Sequence, residues 1–345
     1  MKKLLLITFV MLFIANVAQA QRCFTDEVTK RIIESDPEAK RRIDALDEIL
    51  RDNSLLRQSN KSGSTPSVTI PIVVHVLHLN KALGVDENIS DSQVQGQIVA
   101  LNNYFSAYGV NFCLAEKEGL NTISPNNGGV QNTLGIIHYN ATSSLVNHLA
   151  NINGQQQLVT GTTGGRLQKE RYLNIWVVKS INGNSSGVLG YSMFPNVSPV
   201  FDGVVMRYDV FGNGTSNLLP NNNLGKVLVH EIGHYLGLYH TFEGGCSGMS
   251  SSDCLISGDK VCDTPPVQSP NFSCVTGTNS CVEPAGDLPD AINNYMDYGN
   301  DNCMNSFTLG QKGRMFDVIS SARAFLVSSD NLIYTGVSCI NPNTL

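Results

Sequence analysis

The hydrophobic residues of this chain recur with two different periods, and each period predicts a different kind of element. VTIPIVVHVLHL, from Val68 to Leu79, is rich in β-branched residues and partly alternates with polar ones, which predicts a strand. Between Ser90 and Tyr108, apolar side chains return at helical spacing and predict a helix with a stripe formed by Val94, Ile98, Leu101 and Tyr104. Shorter apolar runs predict three more strands, at Asn111–Glu116, Tyr172–Ile181 and Gly203–Val210.

A more highly charged helical pattern precedes this region. Aliphatic residues recur at roughly helical spacing at Ile32, Ile33, Ile43, Leu46, Ile49 and Leu50, and Asp36 is placed to cap a helix that begins at Pro37. The pattern gives way to the polar stretch Arg57–Ser67, which contains Gly, Pro and Ser and is of the kind that proteases reach easily. We therefore interpret residues 21–61 as a propeptide, 62–330 as one main domain and 331–345 as a C-terminal tail.

The last third of the chain combines a long irregular stretch with one further helix. Residues Glu243–Ser306 show little periodicity and many Gly, Ser, Asp and Pro, so a stretch this long needs cross-links to hold a fixed shape. The pattern becomes helical again from Thr308 to Leu326.

The first residues indicate export. Two lysines precede an apolar run from Leu4 to Ile14, and Ala18 and Ala20 supply the small residues of a cleavage site, so residues 1–20 are predicted to be a signal peptide. The run is too short to span a membrane, and no later stretch reaches roughly eighteen apolar residues. We expect a secreted protein without a membrane anchor.

Length and charge narrow the class of protein. A chain of 345 residues with 41% hydrophobic content can bury the core of one elaborated domain plus an N-terminal extension. Its formal net charge of -6 argues against a nucleic-acid partner, since phosphate binding would need clustered Lys and Arg. We expect a monomer.

The segment HEIGHYLGLYH carries the strongest chemical signal. In a helix, His230 and His234 lie one turn apart on the same face, so both rings can bind one zinc ion at about 2.0 to 2.1 Å. Gly237 can adopt positive φ, end the helix and turn the chain so that His240 supplies the third ligand. Glu231 then lies beside the position that the protein leaves open. Chance occurrence is the competing explanation, but five matching positions make it a weak one.

The extended motif resembles the metzincin clan of zinc peptidases, whose second mark is a methionine in a turn beneath the metal. Met296 matches that methionine, and Tyr298 follows two positions later. Together with GDKVCDTPP and NYMDYGNDNCM, the motif closely resembles the pappalysin family over about Ile70 to Phe325. Met296 could alternatively be an ordinary core residue.

The resemblance implies the fold class. It is α+β, with a metzincin-type catalytic domain in which a twisted mixed sheet and two long helices lie above an active-site cleft. A loop-rich, disulfide-linked lower subdomain ends in a C-terminal helix. GVLGYSMFP, from Gly187 to Pro195, resembles the segment that leads to the edge strand along which metzincins align a peptide.

Nine cysteines leave one unpaired, and none forms a CxxC pair, so disulfides are favoured over separate zinc knuckles. The family resemblance implies the pairs Cys246–Cys281 and Cys274–Cys303, and elimination suggests Cys254–Cys262 and Cys113–Cys339.

Cys23 is the remaining cysteine. It resembles the cysteine switch of pappalysin precursors, in which a thiolate from the propeptide fills the open position on zinc. The family motif is Arg-Cys-Gly, whereas this chain has Phe24 in the third position. The alternative is a free or intermolecularly paired thiol in a loose tail.

Two further sites are implied by the resemblance. Asp259, Asp263 and Thr264 match the pappalysin calcium loop, although spacing alone would favour a solvated acidic turn. Asp301, two residues before Cys303, matches the aspartate at the base of the pocket for the residue after the cut bond. A carboxylate there favours Arg, and less strongly Lys, and self-processing before Arg51 or Arg57 would follow.

These residues predict a zinc-dependent endopeptidase that acts on protein or peptide substrates and is made as a zymogen. Glu231 would accept the proton of the attacking water, and Tyr298 would either stabilise the oxyanion or pack elsewhere. Two alternatives are a secreted adhesin that keeps a structural zinc site and a zinc hydrolase acting on something other than peptides. The adhesin would leave Glu231 without a role, since structural zinc normally has four protein ligands.

Overall fold

A computed structural model of the chain describes residues 22–59, 67–115, 135–163, 169–183, 187–198, 201–214, 217–250, 252–282 and 286–337. The predicted signal peptide, the boundary at residues 61 and 62, and most of the predicted tail lie outside these residues.

The core of the fold is a six-stranded mixed sheet with the order β2-β1-β5-β8-β7, in which β3 also pairs with β1. All pairings are parallel except β7 with β8. The first half of β1 pairs with β2 and its second half with β3, because β1 is long enough to serve both. The strands are β1 Val68–His78, β2 Val110–Leu114, β3 Ile136–Asn140, β5 Leu173–Val178, β7 Gly190–Ser192 and β8 Val204–Arg207. A separate parallel ladder joins β4 Asn147–His148 to β6 Ser180–Ile181.

Strand β1 is buried on both faces, as expected of a central parallel strand. Side chains on one face, including Ile72 and Val74, pack with helices α3 and α6. Val73 and Leu77 on the other face pack with α5 and with the N-terminal helix α1. The helices are α1 Thr25–Ser35, α2 Pro37–Ser59, α3 Asp91–Phe105, α4 Ser143–Val146, α5 Ile152–Thr163, α6 Lys226–Tyr235, α7 Leu309–Ser320 and α8 Ser329–Thr335.

The elements predicted from periodicity are present, with differences at their ends. Ser90 caps α3 through a hydrogen bond from the Gln93 N–H, and the last predicted turn, to Tyr108, is a 3₁₀ turn. Helix α7 was predicted to reach Leu326 but ends at Ser320. Irregular turns follow, in which Arg323 directs its guanidinium inward to Asp202 and to the Tyr235 carbonyl.

The N-terminal extension is helical and packs against the sheet domain. Helix α2 begins at Pro37 as predicted, and Asp36 accepts a hydrogen bond from the Glu38 N–H. The helix continues to Ser59, so the beginning of the predicted linker is helical, and Arg57 forms an ion pair with Asp317. Cleavage before Arg51 or Arg57 therefore requires local unwinding, because peptidases bind extended chain.

Three disulfides cross-link the irregular stretch and confirm three predicted pairs: Cys246–Cys281, Cys254–Cys262 and Cys274–Cys303. Cys113 is also disulfide-bonded, whereas its predicted partner, Cys339, lies outside the described residues. Cys23 is a free thiol.

Helix α8 crosses the predicted boundary at residue 330. Asn331 and Thr335 are buried, and the Asn331 amide donates to the Arg171 and Leu326 carbonyls. Residues on both sides of position 330 therefore belong to one helix that packs on the domain. In the part of the chain that the structure describes, no helix combines the length and apolar character needed to cross a membrane.

Candidate active site

Helix α6 and the turn that follows it bring three histidines to one point. His230 and His234 lie one turn apart on α6, and the residue before this helix, Gly225, is in the left-handed conformation. Gly237, at φ +85°, ends the helix as predicted, and the Leu238 N–H donates to the Gly233 carbonyl at 2.9 Å. The chain then turns back and places His240 opposite the other two rings.

The Nε2 atoms of the three histidines converge. They lie 3.1 Å apart for His230 and His234, 3.1 Å for His234 and His240, and 3.2 Å for His230 and His240. All three side chains are buried. Three ring nitrogens this close together need one shared binding partner. The protonation state of the rings decides the chemical nature of that partner.

The second ring nitrogen of each histidine faces an acceptor. The Nδ1 atoms lie 2.7 Å from the Tyr295 carbonyl for His230, 2.7 Å from the Leu238 carbonyl for His234, and 2.9 Å from the Asp26 carboxylate for His240. We assign the proton to Nδ1 in each ring, since a carbonyl or carboxylate oxygen can only accept. Three Nε2 lone pairs then face one another and cannot hydrogen bond together. Such a donor set fits a zinc ion and its imidazole ligands.

Electrostatics favours neutral rings for the two helical ligands. Burial lowers the pKa of His230 well below its usual value, and it lowers the pKa of His234 to about 3. Burial would lower the pKa of His240, but the carboxylates of Asp26, Glu243 and Glu231 together outweigh burial, so this pKa is raised. Neutral imidazole is the form that binds a metal.

Glu231 lies beside the three rings and is completely buried. Its Oε2 atom is 3.2 Å from the Thr25 hydroxyl and 3.4 Å from the Cys23 thiol, and its Oε1 atom has no hydrogen-bond partner. Burial raises the pKa of this carboxyl to about 8. Within the residues that the structure describes, the hydrogen-bond partners of this carboxylate both belong to the N-terminal extension.

The N-terminal extension also contributes a fourth donor. The Cys23 sulfur and the three histidine nitrogens all lie within 4.8 Å of one another, and the side chain is buried. The sequence analysis anticipated Cys23 but missed Thr25 and Asp26. No periodicity or motif marks those two residues, because their partners lie more than two hundred positions away.

Met296, the residue matched to the methionine turn, lies against helix α6. Met296 is fully buried, and its sulfur lies against Gly233, where any larger side chain would collide with it. The Tyr298 ring packs edge-on against His240, with centroids 5.1 Å apart. Its hydroxyl donates to the Cys23 carbonyl at 3.2 Å, so in this state the hydroxyl is bound to the N-terminal extension.

The Arg22 guanidinium, which lines a small cavity beside His230 and Glu231, lies against Asp301, Tyr298 and Gly299, and we call this position the Asp301 pocket. The Oδ2 atom of Asp301 accepts from the Leu224 N–H at 2.8 Å, and its Oδ1 atom lies 3.9 Å from the Arg22 guanidinium. Arg22 also donates to the Tyr298 carbonyl at 2.7 Å and to the Gly299 carbonyl. An arginine of the N-terminal extension thus occupies the pocket.

The three residues matched to a calcium loop differ in their surroundings. Asp263 accepts from the Thr308 hydroxyl and from the Gly310 N–H, so it caps the first turn of α7. Asp259 and Thr264 are buried next to each other, and burial raises the pKa of Asp259 to about 7 although its contact with the Thr264 hydroxyl lowers it. All three residues carry oxygen atoms, but Asp263 lies at the start of α7 and the other two lie in the interior.

Comparisons with known proteins identify a family model and relatives that are similar to this chain. The family model described as Pregnancy-associated plasma protein-A, Peptidase M43, matches residues 164–320. An extracellular metalloprotease of Podospora anserina is 31% identical over 283 residues, which are 78% of this chain and 81% of that protein. One from Arthroderma benhamiae is 33% identical over 278 residues, covering 79% of this chain and 84% of the relative.

Two solved structures from Tannerella forsythia are also similar. A promirolysin mutant aligns with a TM-score of 0.65 and 26% identity, covering 92% of this chain and 98% of that chain. Mature mirolysin in complex with a cleaved peptide aligns with a TM-score of 0.59 and 28% identity, covering 79% of this chain and 98% of that chain.

The turn at Gly237 gives a test of how the third histidine is held. A Cβ atom on Gly237 would lie 2.6 Å from Val318 Cγ2, and residue 237 has φ +85°. We expect Gly237→Ala to displace His240 and to weaken zinc binding about 10- to 100-fold, as measured by competition with a chromogenic chelator. Gly183→Ala is the matched control, since Gly183 has φ +82° and nothing within 4 Å of the added atom. Equal zinc affinity of the two variants would contradict the expectation.

Proposed function

The chain belongs to the pappalysin family of metzincin zinc peptidases, and from this membership we propose that it is a secreted endopeptidase made as an inactive precursor. In this proposal Glu231 activates the attacking water, Asp301 selects the residue after the cut bond, and residues 21–61 keep the precursor inactive. The observation that carries the proposal is the convergence of three Nε2 lone pairs beside a buried carboxylate.

His230, His234 and His240 would hold the catalytic zinc. When bound, zinc polarises a peptide carbonyl, stabilises negative charge on its oxygen and makes water more acidic. The hydrogen bonds at the three Nδ1 atoms keep each ring oriented and its Nε2 lone pair free.

Glu231 is proposed as the general base and then the general acid. It follows the first ligand in α6 and directs its carboxylate to the place where the Cys23 thiol and the Thr25 hydroxyl now lie. After those groups leave, Glu231 can accept a proton from the attacking water and deliver it to the leaving amine.

Strand β7 is proposed as the binding edge for extended substrate. It is the last strand of the sheet path, and the N-terminal extension already uses it. The Leu189 N–H donates to the Arg22 carbonyl at 2.9 Å, and the Phe24 N–H donates to the Gly190 carbonyl at 3.1 Å. Such main-chain bonds are independent of side-chain identity, so a peptide can take the same edge.

The Asp301 pocket supports a preference for arginine after the cut bond. Arg22 places its guanidinium where it contacts two carbonyls and faces the Asp301 carboxylate. A substrate arginine could use the same partners, since its planar fork matches carboxylate and carbonyl acceptors.

The precursor state is supported by the contacts of Cys23 and by the comparisons. Promirolysin covers a larger share of this chain than mature mirolysin does, which fits an N-terminal segment that is lost on maturation. A thiolate from Cys23 would fill the fourth position on zinc, and Phe24 is accommodated where the family motif has glycine.

Calcium is a further part of the proposal, at the site that Asp259, Asp263 and Thr264 form in the sequence motif. Their carboxylate and hydroxyl oxygens are hard donors of the kind that calcium prefers. Asp263 also accepts hydrogen bonds at the start of α7.

The role of Glu231 can be tested separately from zinc binding. We expect Glu231→Gln to lower casein hydrolysis by about 10²- to 10⁴-fold, because the amide cannot accept the proton, while zinc content stays the same. Both proteins should be freed of the prosegment by an added protease before the assay. Full activity in the variant would overturn the assignment, whereas loss of zinc would make it a structural effect.

The proposed inhibition of the zinc site by Cys23, which we call the latch, can be tested in the unprocessed chain. We expect Cys23→Ala to trim itself about tenfold faster or more than the wild type in the presence of zinc, because one contact to the site is removed. After complete removal of residues 21–61 the two enzymes should be equally active, since the altered residue is gone. Equal trimming rates of the two precursors would contradict the latch.

The Asp301 pocket predicts a change in specificity. With a matched pair of peptides that carry Arg or Leu after the cut bond, we expect Asp301→Asn to lower the Arg-to-Leu ratio of kcat/KM by about 10- to 100-fold, since the charge-assisted contact is lost. An unchanged ratio would show that the preference arises elsewhere.

A further inference from the structure

A second carboxylate of the N-terminal extension occupies a cationic site away from the histidines. Asp47 on α2 accepts from the Tyr239 hydroxyl at 2.8 Å and from the Lys260 ammonium at 2.5 Å through Oδ2. Its Oδ1 atom accepts from Arg314. We call Tyr239, Lys260 and Arg314 the cationic triad.

The triad is built by the catalytic domain and is held in place without Asp47. Arg314 is buried on α7, and its Nε–H donates to the Gly237 carbonyl at 2.7 Å. Lys260 and Arg314 lie over the Tyr239 ring, 4.7 and 5.1 Å from its centroid. The same ring packs on Phe194, with centroids 4.7 Å apart. These contacts fix the three donors around one position.

Removal of the N-terminal extension would leave the position of the Asp47 carboxylate empty, next to two positively charged side chains. Among the described residues, Asp47 is the only ion-pair partner of Lys260 and of Arg314. The nearby carboxyls of Glu243 and Asp259 influence the site through space but form no ion pair with either cation. A buried guanidinium without a partner is costly, which favours a new anionic ligand.

The cationic triad lies beyond one end of strand β7. This end is the one farther from the Asp301 pocket. Arg22 lies at Asp301, Cys23 pairs with Gly190, and Thr25 accepts from the Ser192 N–H at 2.9 Å. The strand therefore leads away from the pocket, and Phe194, just past its end, contacts Tyr239. If the pocket receives the residue after the cut bond, the triad faces substrate residues before it.

We propose that the cationic triad of the processed enzyme is a carboxylate-binding subsite for an Asp or Glu side chain on the N-terminal side of the cut bond. The proposal rests on the proposed function, because it takes the Asp301 pocket as the site for the residue that follows the cut. Asp47 stands in for the substrate carboxylate, with one oxygen on Tyr239 and Lys260 and the other on Arg314. The substrate class is thus a peptide with an acidic residue upstream of the cleavage point.

Matched peptides test the subsite with the enzyme processed from the full chain. Each pair has arginine after the cut bond and differs only by Glu or Gln at one upstream position, and the position is moved stepwise away from the cut. We expect one position at which Glu raises kcat/KM about tenfold over Gln, because a charge-assisted hydrogen bond replaces a neutral one.

Variants assign that preference to the triad. Tyr239→Phe keeps the ring and removes the hydroxyl, and Lys260→Gln removes the charge; each should bring the Glu-to-Gln ratio toward one. Lys312→Gln, on the same helix as Arg314, forms no ion pair in the described part of the chain and should keep the full ratio. Arg314 is left intact because it also supports the turn at Gly237.

The outcomes separate the two proposals. Hydrolysis of every peptide with a Glu-to-Gln ratio near one at all positions would overturn the subsite and leave the peptidase function standing. A ratio that survives in Tyr239→Phe and Lys260→Gln, or that falls equally in Lys312→Gln, would also overturn it, since the preference would then be remote or nonspecific. Failure to hydrolyse any peptide would instead contradict the proposed function.

Discussion

The structure depends on three imidazole lone pairs that point at one position and cannot satisfy one another. Each ring is fixed by the acceptor at its second nitrogen, and the three acceptors come from different parts of the fold. The Tyr295 carbonyl belongs to the methionine turn, the Leu238 carbonyl to the turn that Gly237 makes possible, and the Asp26 carboxylate to the N-terminal extension. Helix, turn and lower subdomain must therefore be assembled before the site has its final shape.

The N-terminal extension forms hydrogen bonds and other polar contacts with groups that catalysis would use. Within a few residues, Arg22 lies in the Asp301 pocket, Cys23 lies beside the histidines, and Thr25 bonds both to Glu231 and to the edge strand. Asp47 adds a separate anchor more than twenty residues later. Since these contacts are spread over the cleft and over α7, a single cut in the chain does not break them directly. Release of the extension requires the loss of several polar contacts that each leave a buried group behind.

The sequence predicted those features that leave a periodic or local trace. Strand β1 and helix α3 follow from apolar spacing, and the histidines with Gly237 follow from one short motif. Strand β3 was not predicted, because its five residues give a much weaker sequence pattern than the long strand β1. Asp26 and Thr25 could not be found, since their roles depend on contacts between distant segments. Asp263 shows the opposite difficulty, because an acidic motif suited to calcium also suits the first turn of a helix.

The geometry around Arg22 supports the proposed preference for arginine over lysine in the Asp301 pocket. The guanidinium donates to the carbonyls of Tyr298 and Gly299, whereas the Asp301 carboxylate lies farther away, at 3.9 Å. Recognition is thus divided between two carbonyl oxygens and a longer-range charge. A guanidinium presents five N–H donors in a rigid plane and can address these acceptors together. An ammonium has three donors around one point and is more strongly hydrated, so it would give up more solvation for fewer contacts in a pocket of this depth.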